Sequence, residues 1–293
     1  MNTVRWLQSK RQSGGRKRIL PLVAVFVLCA AVGVPSAMAA LPAKRPPMLV
    51  AMGDSFTSGT GNAPSQDVNF SCRRSAASYS ALVAKQLGAT YKNLACSGAK
   101  SPDMWGTYRN DPSQMQSLRK LALSNDVRYV VLTIGGNDVA MFDSMKARLT
   151  GQPTPQFDTA IKALPPKVSE TLRWVNWMAP QAEIYILGYP DLLPRTRTEL
   201  GGCFTPWVAA RMDPTPWTSM MDQLNAAVSA GAKSSKISKV HYVAPPSFAG
   251  HSVCSSDTWG FRLANTLGKP EGAFHPNALG HQALATNLVK VAR

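Results

Sequence analysis

The chain has 293 residues, 45% of them hydrophobic, so it can bury the core of one large domain or two small ones. This composition excludes a fibrous or disordered protein. The 32 basic and 16 acidic residues give a net charge of +16. We expect such a surface to contact an anionic lipid or a cell-wall polymer. The alternative is a basic protein that has no such partner. The basic residues are scattered without an aromatic-basic motif, which argues against nucleic-acid binding.

The first 39 residues have the three parts of a secretory signal peptide. A basic stretch without acidic residues ends at Arg18, an apolar run covers 19–34, and small residues lead to a cleavage point after Ala39. We predict cleavage there and secretion of 40–293 as one domain. Cleavage removes six basic residues and leaves a net charge of +10. A retained anchor is the alternative, but the run is short for a membrane span and contains Pro21 and Gly33.

Strand and helix patterns alternate along the rest of the chain. The predicted strands are 48–52, 91–94, 129–134, 184–187 and 240–243. The predicted helices are 76–87, 112–124, 168–178, 217–230 and a last one that Pro276 opens. Uniformly apolar strands are typical of a parallel sheet covered on both faces. The Pro- and Thr-rich segments 144–166 and 194–216 interrupt the pattern, and we expect them to be loops at the rim of a site.

Four residues with catalytic chemistry fall where such a sheet binds ligands, beyond the carboxyl ends of its strands. Ser55 follows the first strand within 53–59, Gly98 follows the second, and Asn137 follows the third in Gly-Gly-Asn-Asp. His275 precedes the last helix. Alone, each has a structural explanation: a turn, a cap or a surface histidine. Together they supply a nucleophile, oxyanion donors and a base for acyl transfer.

These residues resemble the four sequence blocks of the GDSL/SGNH hydrolase superfamily, most of all its secreted actinobacterial esterases, lipases and phospholipases. Further matches are Ser-Cys-Arg-Arg-Ser at 71–75, Ala-Cys-Ser-Gly-Ala at 95–99, Leu-Gly-Tyr-Pro at 187–190 and Phe-Ala-Gly-His at 248–251. The GxSxG elbow of classical lipases is absent, since Thr57 occupies its last position.

The resemblance implies both a fold and a mechanism. The fold is a flavodoxin-like, three-layer α/β/α domain with a five-stranded, mainly parallel sheet. The activity is carboxylic ester hydrolysis without metal or cofactor. Ser55 is the expected nucleophile and His275 the general base and acid. Ser55, Gly98 and Asn137 form the expected oxyanion hole.

The sequence departs from the family at one position. Many members have an Asp three residues before the histidine, and Gly272 stands there in this chain. A carboxylate at that position orients the imidazole. We expect the backbone carbonyl of Ala273 or Gly272 to orient His275 instead. Glu271 and Asp257 are alternatives, as is Asp54 acting as the catalytic acid.

Four cysteines remain after the predicted cleavage, and an even number in an exported protein indicates disulfides of three alternative connectivities. The resemblance implies Cys72–Cys96, which leaves Cys203–Cys254. Zinc is disfavoured because no CxxC or HExxH spacing occurs.

Several other residues have structural explanations that we favour. We expect Asp54 and Asp138 to anchor loops through backbone hydrogen bonds. We expect His251 to be structural and His281 to pack or face solvent. Trp207, Trp217 and Trp259 either line an acyl groove, touch lipid or belong to the core.

The sequence leads to one main functional hypothesis, a monomeric hydrolase of lipid or other small-molecule acyl esters. A carbohydrate or cell-wall O-deacetylase and an inactive binding protein on the same fold are the alternatives.

Overall fold

The computed structural model describes residues 45–66, 71–262 and 272–293. The predicted signal peptide and Glu271 lie outside the described residues, so cleavage after Ala39 stays a prediction. Within the described ranges, the model contains no helix with the length and hydropathy that a membrane span needs.

The five predicted strands form one parallel sheet with the order β2-β1-β3-β4-β5. They are β1 (Met48–Gly53), β2 (Thr90–Asn93), β3 (Val127–Thr133), β4 (Glu183–Leu187) and β5 (Val240–Val243). Four successive residues of β1, Leu49 to Met52, are 0% exposed. Because successive side chains point to opposite faces, both faces of the sheet are covered at β1. The edge strand β2 departs from the expectation of uniformly apolar strands, since its Thr90 and Lys92 are exposed.

Helices connect the strands and cover the sheet. Those in the described residues are α1 (Ser55–Ser58), α2 (Tyr79–Gln86), α3 (Gln114–Ser124), α4 (Met141–Leu149), α5 (Pro155–Met178), α6 (Arg197–Leu200), α7 (Pro206–Ala209), α8 (Thr215–Ser234) and α9 (Ala278–Ala292). A 3-10 helix covers Ser101–Met104. Helix α2 packs against α9, β1 and β2, whereas α5 packs against α3, α8 and β4. The predicted three-layer α/β/α fold is therefore confirmed.

The expectation that 144–166 is a loop is wrong, because α4 and the first half of α5 occupy most of it. Helix α5 begins at Pro155 rather than at Val168 and continues through Pro165 and Pro166. A proline inside a helix removes a backbone hydrogen bond. Here an unbroken apolar stripe packs across the prolines: the buried residues Phe157, Ile161, Leu164, Val168 and Leu172. Burial of this stripe outweighs the local cost.

Two other expectations need adjustment. Segment 194–216 contains the short helices α6 and α7 in addition to turns. Helix α9 begins at Ala278, and its N-cap is Asn277, whose side chain accepts a hydrogen bond from the Gly280 N–H. Pro276 therefore precedes the cap and does not open the helix, because an amide side chain is the stronger capping group.

Candidate active site

Ser55 is the first residue of α1, directly beyond the carboxyl end of β1. The Asp54 carboxylate caps this helix by accepting a hydrogen bond of 3.0 Å from the Phe56 N–H. Neither the N–H nor the Oγ of Ser55 hydrogen-bonds to a described residue. The turn therefore presents an unengaged hydroxyl beside an unengaged backbone donor, as a nucleophile with its own oxyanion contact requires.

Gly53 and Gln114 fix the geometry of this turn. Gly53 has φ +103°, and a Cβ at this position would collide with the Thr133 carbonyl oxygen. The Gly53 N–H donates to Gln114 Oε1 at 2.8 Å, and Gln114 Nε2 donates to the Gly53 carbonyl at 3.0 Å. Gln114 is not among the predicted site residues, because nothing local distinguishes it from any polar residue in the first turn of a helix.

The Gly98 loop follows β2, which lies beside β1 in the sheet, so this loop is next to the turn of Ser55. The Cys96 N–H donates to the Gly53 carbonyl at 2.9 Å, and the Ser97 N–H donates to the Cys72 carbonyl at 3.0 Å. Gly98 has φ +86°, and a Cβ there would lie 2.9 Å from the Tyr108 hydroxyl. Its own N–H is without a hydrogen bond to any residue that the structure describes. The loop thus leaves a backbone donor available.

Asn137 lies beyond the carboxyl end of β3, on the other side of β1. Its Nδ2 donates to the Ala99 carbonyl at 3.0 Å, which brings the amide next to the Gly98 loop and leaves its second N–H available. The neighbouring Asp138 accepts hydrogen bonds from the N–H and hydroxyl of Ser101, at 2.9 and 3.1 Å. Asp138 therefore anchors the segment that follows Gly98.

His275 is buried and carries a defined hydrogen bond. Its Nδ1 lies 2.9 Å from the Ala273 carbonyl, so the proton is on Nδ1 and the Nε2 lone pair is available. The centroids of the Phe56 and Phe142 rings lie 5.3 and 5.1 Å from the imidazole. Burial lowers the pKa of His275 to about 4, with a smaller lowering from the charge of Arg73. At neutral pH the imidazole is uncharged and able to accept a proton.

The pairing of Ser55 with His275 is incomplete in this structure. His275 Nε2 is buried and makes no hydrogen bond with a described residue, so the Ser55 Oγ contact that proton transfer needs is not formed. The imidazole of His275 instead packs on the ring of Phe56, the residue that follows Ser55. Such contacts are often long in enzymes without substrate and tighten in the substrate complex.

The structure separates the candidates for orienting His275. Ala273 supplies the carbonyl that accepts from Nδ1, whereas the Gly272 carbonyl accepts from the His275 backbone N–H at 3.1 Å. The Asp257 carboxylate lies 3.1 Å from His251 Nδ1, and the Asp54 carboxylate bonds to Phe56 and Tyr189. Among the described residues, neither the Asp257 nor the Asp54 carboxylate hydrogen-bonds to His275.

Tyr189 joins two parts of the site and was missed as a site residue, although it lies in the matched Leu-Gly-Tyr-Pro motif. Its hydroxyl donates to Asp54 Oδ2 at 2.5 Å and accepts from the Gly136 N–H at 2.7 Å. Burial raises the pKa of Asp54 to about 7, against the lowering by the Tyr189 hydrogen bond. Burial and the nearby Asp54 charge raise the pKa of Tyr189 well above its usual value.

The two other histidines singled out in the sequence, His251 and His281, lie outside this arrangement. His251 stacks on Trp259, with ring centroids 3.9 Å apart. His281 is 0% exposed, and its Nδ1 accepts a hydrogen bond of 3.1 Å from the Tyr79 N–H. Burial lowers the pKa of His281 to about 3. Both histidines therefore stabilise the fold around the site.

The three tryptophans singled out in the sequence differ in exposure. Trp217 is 2% exposed and donates to the Pro194 carbonyl, so it belongs to the core. Trp259 is half-buried and packs edge-on against Phe248. Trp207 is 67% exposed and carries the Arg211 guanidinium 3.9 Å above its ring. Of the three, Trp207 is the one available to an external surface.

The structure contains two disulfides in its described residues. One links Cys72 to Cys96, and the other links Cys203 to Cys254. Cys72, Cys96 and Asp111 also form a group whose ligand atoms lie within 4.8 Å of one another. The two sulfurs bond to each other, and Asp111 pairs with Arg74 at 2.9 Å. Neither cysteine is therefore available as a thiolate ligand for a metal.

Comparison with known proteins identifies the family. The family model of GDSL-like lipases/acylhydrolases matches residues 51–283. The chain therefore belongs to the GDSL-like lipase/acylhydrolase family, and it is a carboxylic ester hydrolase, as the sequence resemblance implied.

Individual relatives cover almost the whole chain. Lipase 2 of Streptomyces coelicolor is 30% identical over 94% of this chain and 97% of its own. Among solved structures, phospholipase A1 from Streptomyces albidoflavus NA297 superposes with a TM-score of 0.62 at 25% identity, covering 85% of this chain and 99% of its own. An extracellular lipase from Streptomyces rimosus gives a TM-score of 0.60 at 26% identity, covering 84% and 99%.

Proposed function

We propose that this protein is a secreted lipase that cleaves acyl esters through Ser55 and His275 by way of an acyl-enzyme. The observation that carries the proposal is the state of His275. Its Nδ1 is held by the Ala273 carbonyl, and its Nε2 is buried and unengaged by any described residue beside the turn of Ser55. A neutral imidazole with an available Nε2 is the group that a serine nucleophile needs as its base.

The reaction proceeds in two halves. His275 Nε2 takes the proton of the Ser55 hydroxyl as Oγ attacks the ester carbonyl, and the same proton then passes to the leaving alcohol. Water repeats the sequence on the acyl-enzyme: His275 accepts its proton, the hydroxide adds to the acyl carbon, and Ser55 Oγ leaves with the proton. The Ala273 carbonyl stabilises the transient imidazolium in place of a carboxylate.

Three donors converge on the position of the oxyanion in this mechanism: the backbone N–H groups of Ser55 and Gly98 and the free N–H of Asn137 Nδ2. They come from the loops after β1, β2 and β3, which are adjacent in the sheet. Loss of one such donor lowers kcat by about two to three orders of magnitude. We therefore expect Asn137→Ala to lose about 100- to 1,000-fold in kcat.

The lipid preference and the secretion rest on separate support. The relatives named above are lipases and a phospholipase, and one of them is described as extracellular. The predicted signal peptide agrees with export, and the net charge of +10 that remains without it favours an anionic lipid surface. Trp207 and Arg211, exposed together, offer the aromatic and cationic contacts that lipid headgroups accept.

The test is hydrolysis of p-nitrophenyl esters from acetyl to palmitoyl by the oxidised protein. Ser55→Ala is the inactive variant, and Ser124→Ala, at the exposed end of α3, is the matched control. We expect long-chain activity in the parent and control and none in Ser55→Ala. Activity confined to acetyl esters would favour the O-deacetylase hypothesis. A folded parent that is inert on every ester and unlabelled by a fluorophosphonate would refute the serine mechanism.

A further inference from the structure

Tyr189 is held rigidly between the sheet and a helix. It is 0% exposed and lies two residues beyond the end of β4. Its backbone N–H donates to Asn225 Oδ1 at 2.8 Å, and Asn225 Nδ2 donates to the Tyr189 carbonyl at 2.9 Å. Because Asn225 belongs to α8, this pair of bonds fixes the backbone of Tyr189 against that helix.

The hydroxyl of Tyr189 connects the two loops that carry the proposed nucleophile and the proposed side-chain oxyanion donor. It accepts from the N–H of Gly136, the residue before Asn137. It donates to the Asp54 carboxylate, whose other oxygen accepts from the Phe56 N–H. An uninterrupted chain of hydrogen bonds thus runs from one side of Asn137 to both sides of Ser55.

Close packing against Gly136 and Phe56 limits the movement of the Tyr189 ring. A Cβ added at Gly136 would lie 2.9 Å from Cζ of Tyr189, so the backbone of the Asn137 loop rests directly on the ring. On the other side, the Phe56 ring meets it edge-on, with centroids 4.9 Å apart. Displacement of the ring therefore requires displacement of one of the two loops.

We propose that Tyr189 is a positioning residue, which sets the spacing between the Ser55 nucleophile and the Asn137 oxyanion donor through its contacts with Asp54 and Gly136. The inference rests on the proposed roles of Ser55 and Asn137. Tyr189 does not touch the reacting atoms, and its effect appears as a change in transition-state alignment. A misplacement of about 1 Å at such a site costs about 100-fold in rate.

The test compares Tyr189→Phe with Tyr185→Phe on a soluble short-chain p-nitrophenyl ester. Tyr185 lies on β4 and stacks on His241, so its variant removes a tyrosine hydroxyl from the strand that precedes Tyr189 without touching either loop. We expect Tyr189→Phe to lower kcat by about 10- to 100-fold with KM within about twofold of the parent. We expect Tyr185→Phe to retain the parent values.

Titration with a fluorophosphonate separates misalignment from loss of folded protein. We expect Tyr189→Phe to bind one equivalent of the probe at a reduced rate constant. A reduced number of labelled sites with an unchanged rate constant would show a purely structural role and overturn the proposal. A kcat and a labelling rate constant within about twofold of the parent would also overturn it.

A second variant keeps the proposal testable if Tyr189→Phe does not fold. Asp54→Asn replaces the other end of the Tyr189 bond, and it should lower kcat to a similar extent. A kcat of Asp54→Asn within about twofold of the parent would overturn the proposal. If both single variants fold, their losses in the double variant should be less than multiplicative, because both changes break one chain of bonds. Fully multiplicative losses would overturn the proposal. If the parent itself takes up no probe, the proposed function fails, which is a result distinct from any outcome for Tyr189.

Discussion

The two disulfides should make similar contributions to stability and very different contributions to catalysis. Cys72 and Cys96 are separated by 24 residues in sequence, for which the chain-entropy relation gives about 3.5 kcal/mol. The separation of 51 residues between Cys203 and Cys254 gives about 4 kcal/mol. Replacement of either pair by alanines should therefore lower the free energy of unfolding by a comparable amount.

Catalysis distinguishes the pairs because only the first disulfide adjoins a loop of the proposed site. The Ser97 N–H donates to the Cys72 carbonyl, and the Ala99 N–H donates to the Cys96 carbonyl, so both neighbours of Gly98 are tied to the disulfide. Without it, the Gly98 N–H loses its fixed direction. The expected decrease in kcat is the one that follows removal of a single oxyanion donor, about 100-fold or more.

Urea unfolding followed by tryptophan fluorescence measures the stability of both double variants, and ester hydrolysis without urea measures their activity. Cys72→Ala/Cys96→Ala should lose activity strongly, whereas Cys203→Ala/Cys254→Ala should stay within a few-fold of the parent. Equal losses of activity at equal losses of stability would refute the reasoning, since they would show that activity follows global stability alone.

Three further predictions concern the turn of Ser55 and its base. Because burial lowers the pKa of His275 to about 4, kcat/KM should stay level from pH 7 to about 5 and fall as pH drops through about 4; a fall centred near 6.5 would show a solvated imidazole. Burial raises the pKa of Asp54 to about 7, so ionisation of this carboxyl opposes folding. The free energy of unfolding of the parent, relative to Asp54→Asn, should therefore decrease between pH 4 and 7 by at most about 4 kcal/mol. A pH-independent difference between the two proteins in urea unfolding would contradict this. Gly53→Ala combines a positive φ with a clash against the Thr133 carbonyl and should lower the free energy of unfolding by about 2 to 5 kcal/mol. Gly88→Ala, at φ +62° with open space around the added Cβ, should lower it by only about 1 to 2 kcal/mol in the same urea assay.

The strands were predictable because their signal is local. The strands β1, β3 and β4 are mainly apolar runs, whereas the edge strands β2 and β5 contain polar residues. Each predicted strand lies within two residues of the observed ends. Helix α5 was harder, since Pro165 and Pro166 indicate a break that only packing against the rest of the core overrules. The family follows from the motifs, whereas the catalytic roles of Ser55 and His275 stay predictions.

Contacts between distant parts of the chain were beyond sequence reasoning. Gln114 bonds to Gly53 across 61 residues, and Tyr189 bonds to Asp54 across 135. Gln114 carries no local feature that distinguishes it from an ordinary glutamine, and the matched Leu-Gly-Tyr-Pro motif around Tyr189 does not indicate which residue its hydroxyl contacts. Such contacts are set by tertiary packing, so a single sequence contains no pattern that identifies the two partners of each contact.

The Gln114 side chain acts as a substitute peptide group at the end of β1. Its amide offers Gly53 one acceptor and one donor, the same pair of groups that a residue of a neighbouring strand supplies. The segment before it is anchored separately, where Ser101 bonds to Asp138. Residues 105–112 therefore form a span fastened at both ends, in which insertions or replacements would reshape the approach to the site while the turn of Ser55 keeps its geometry.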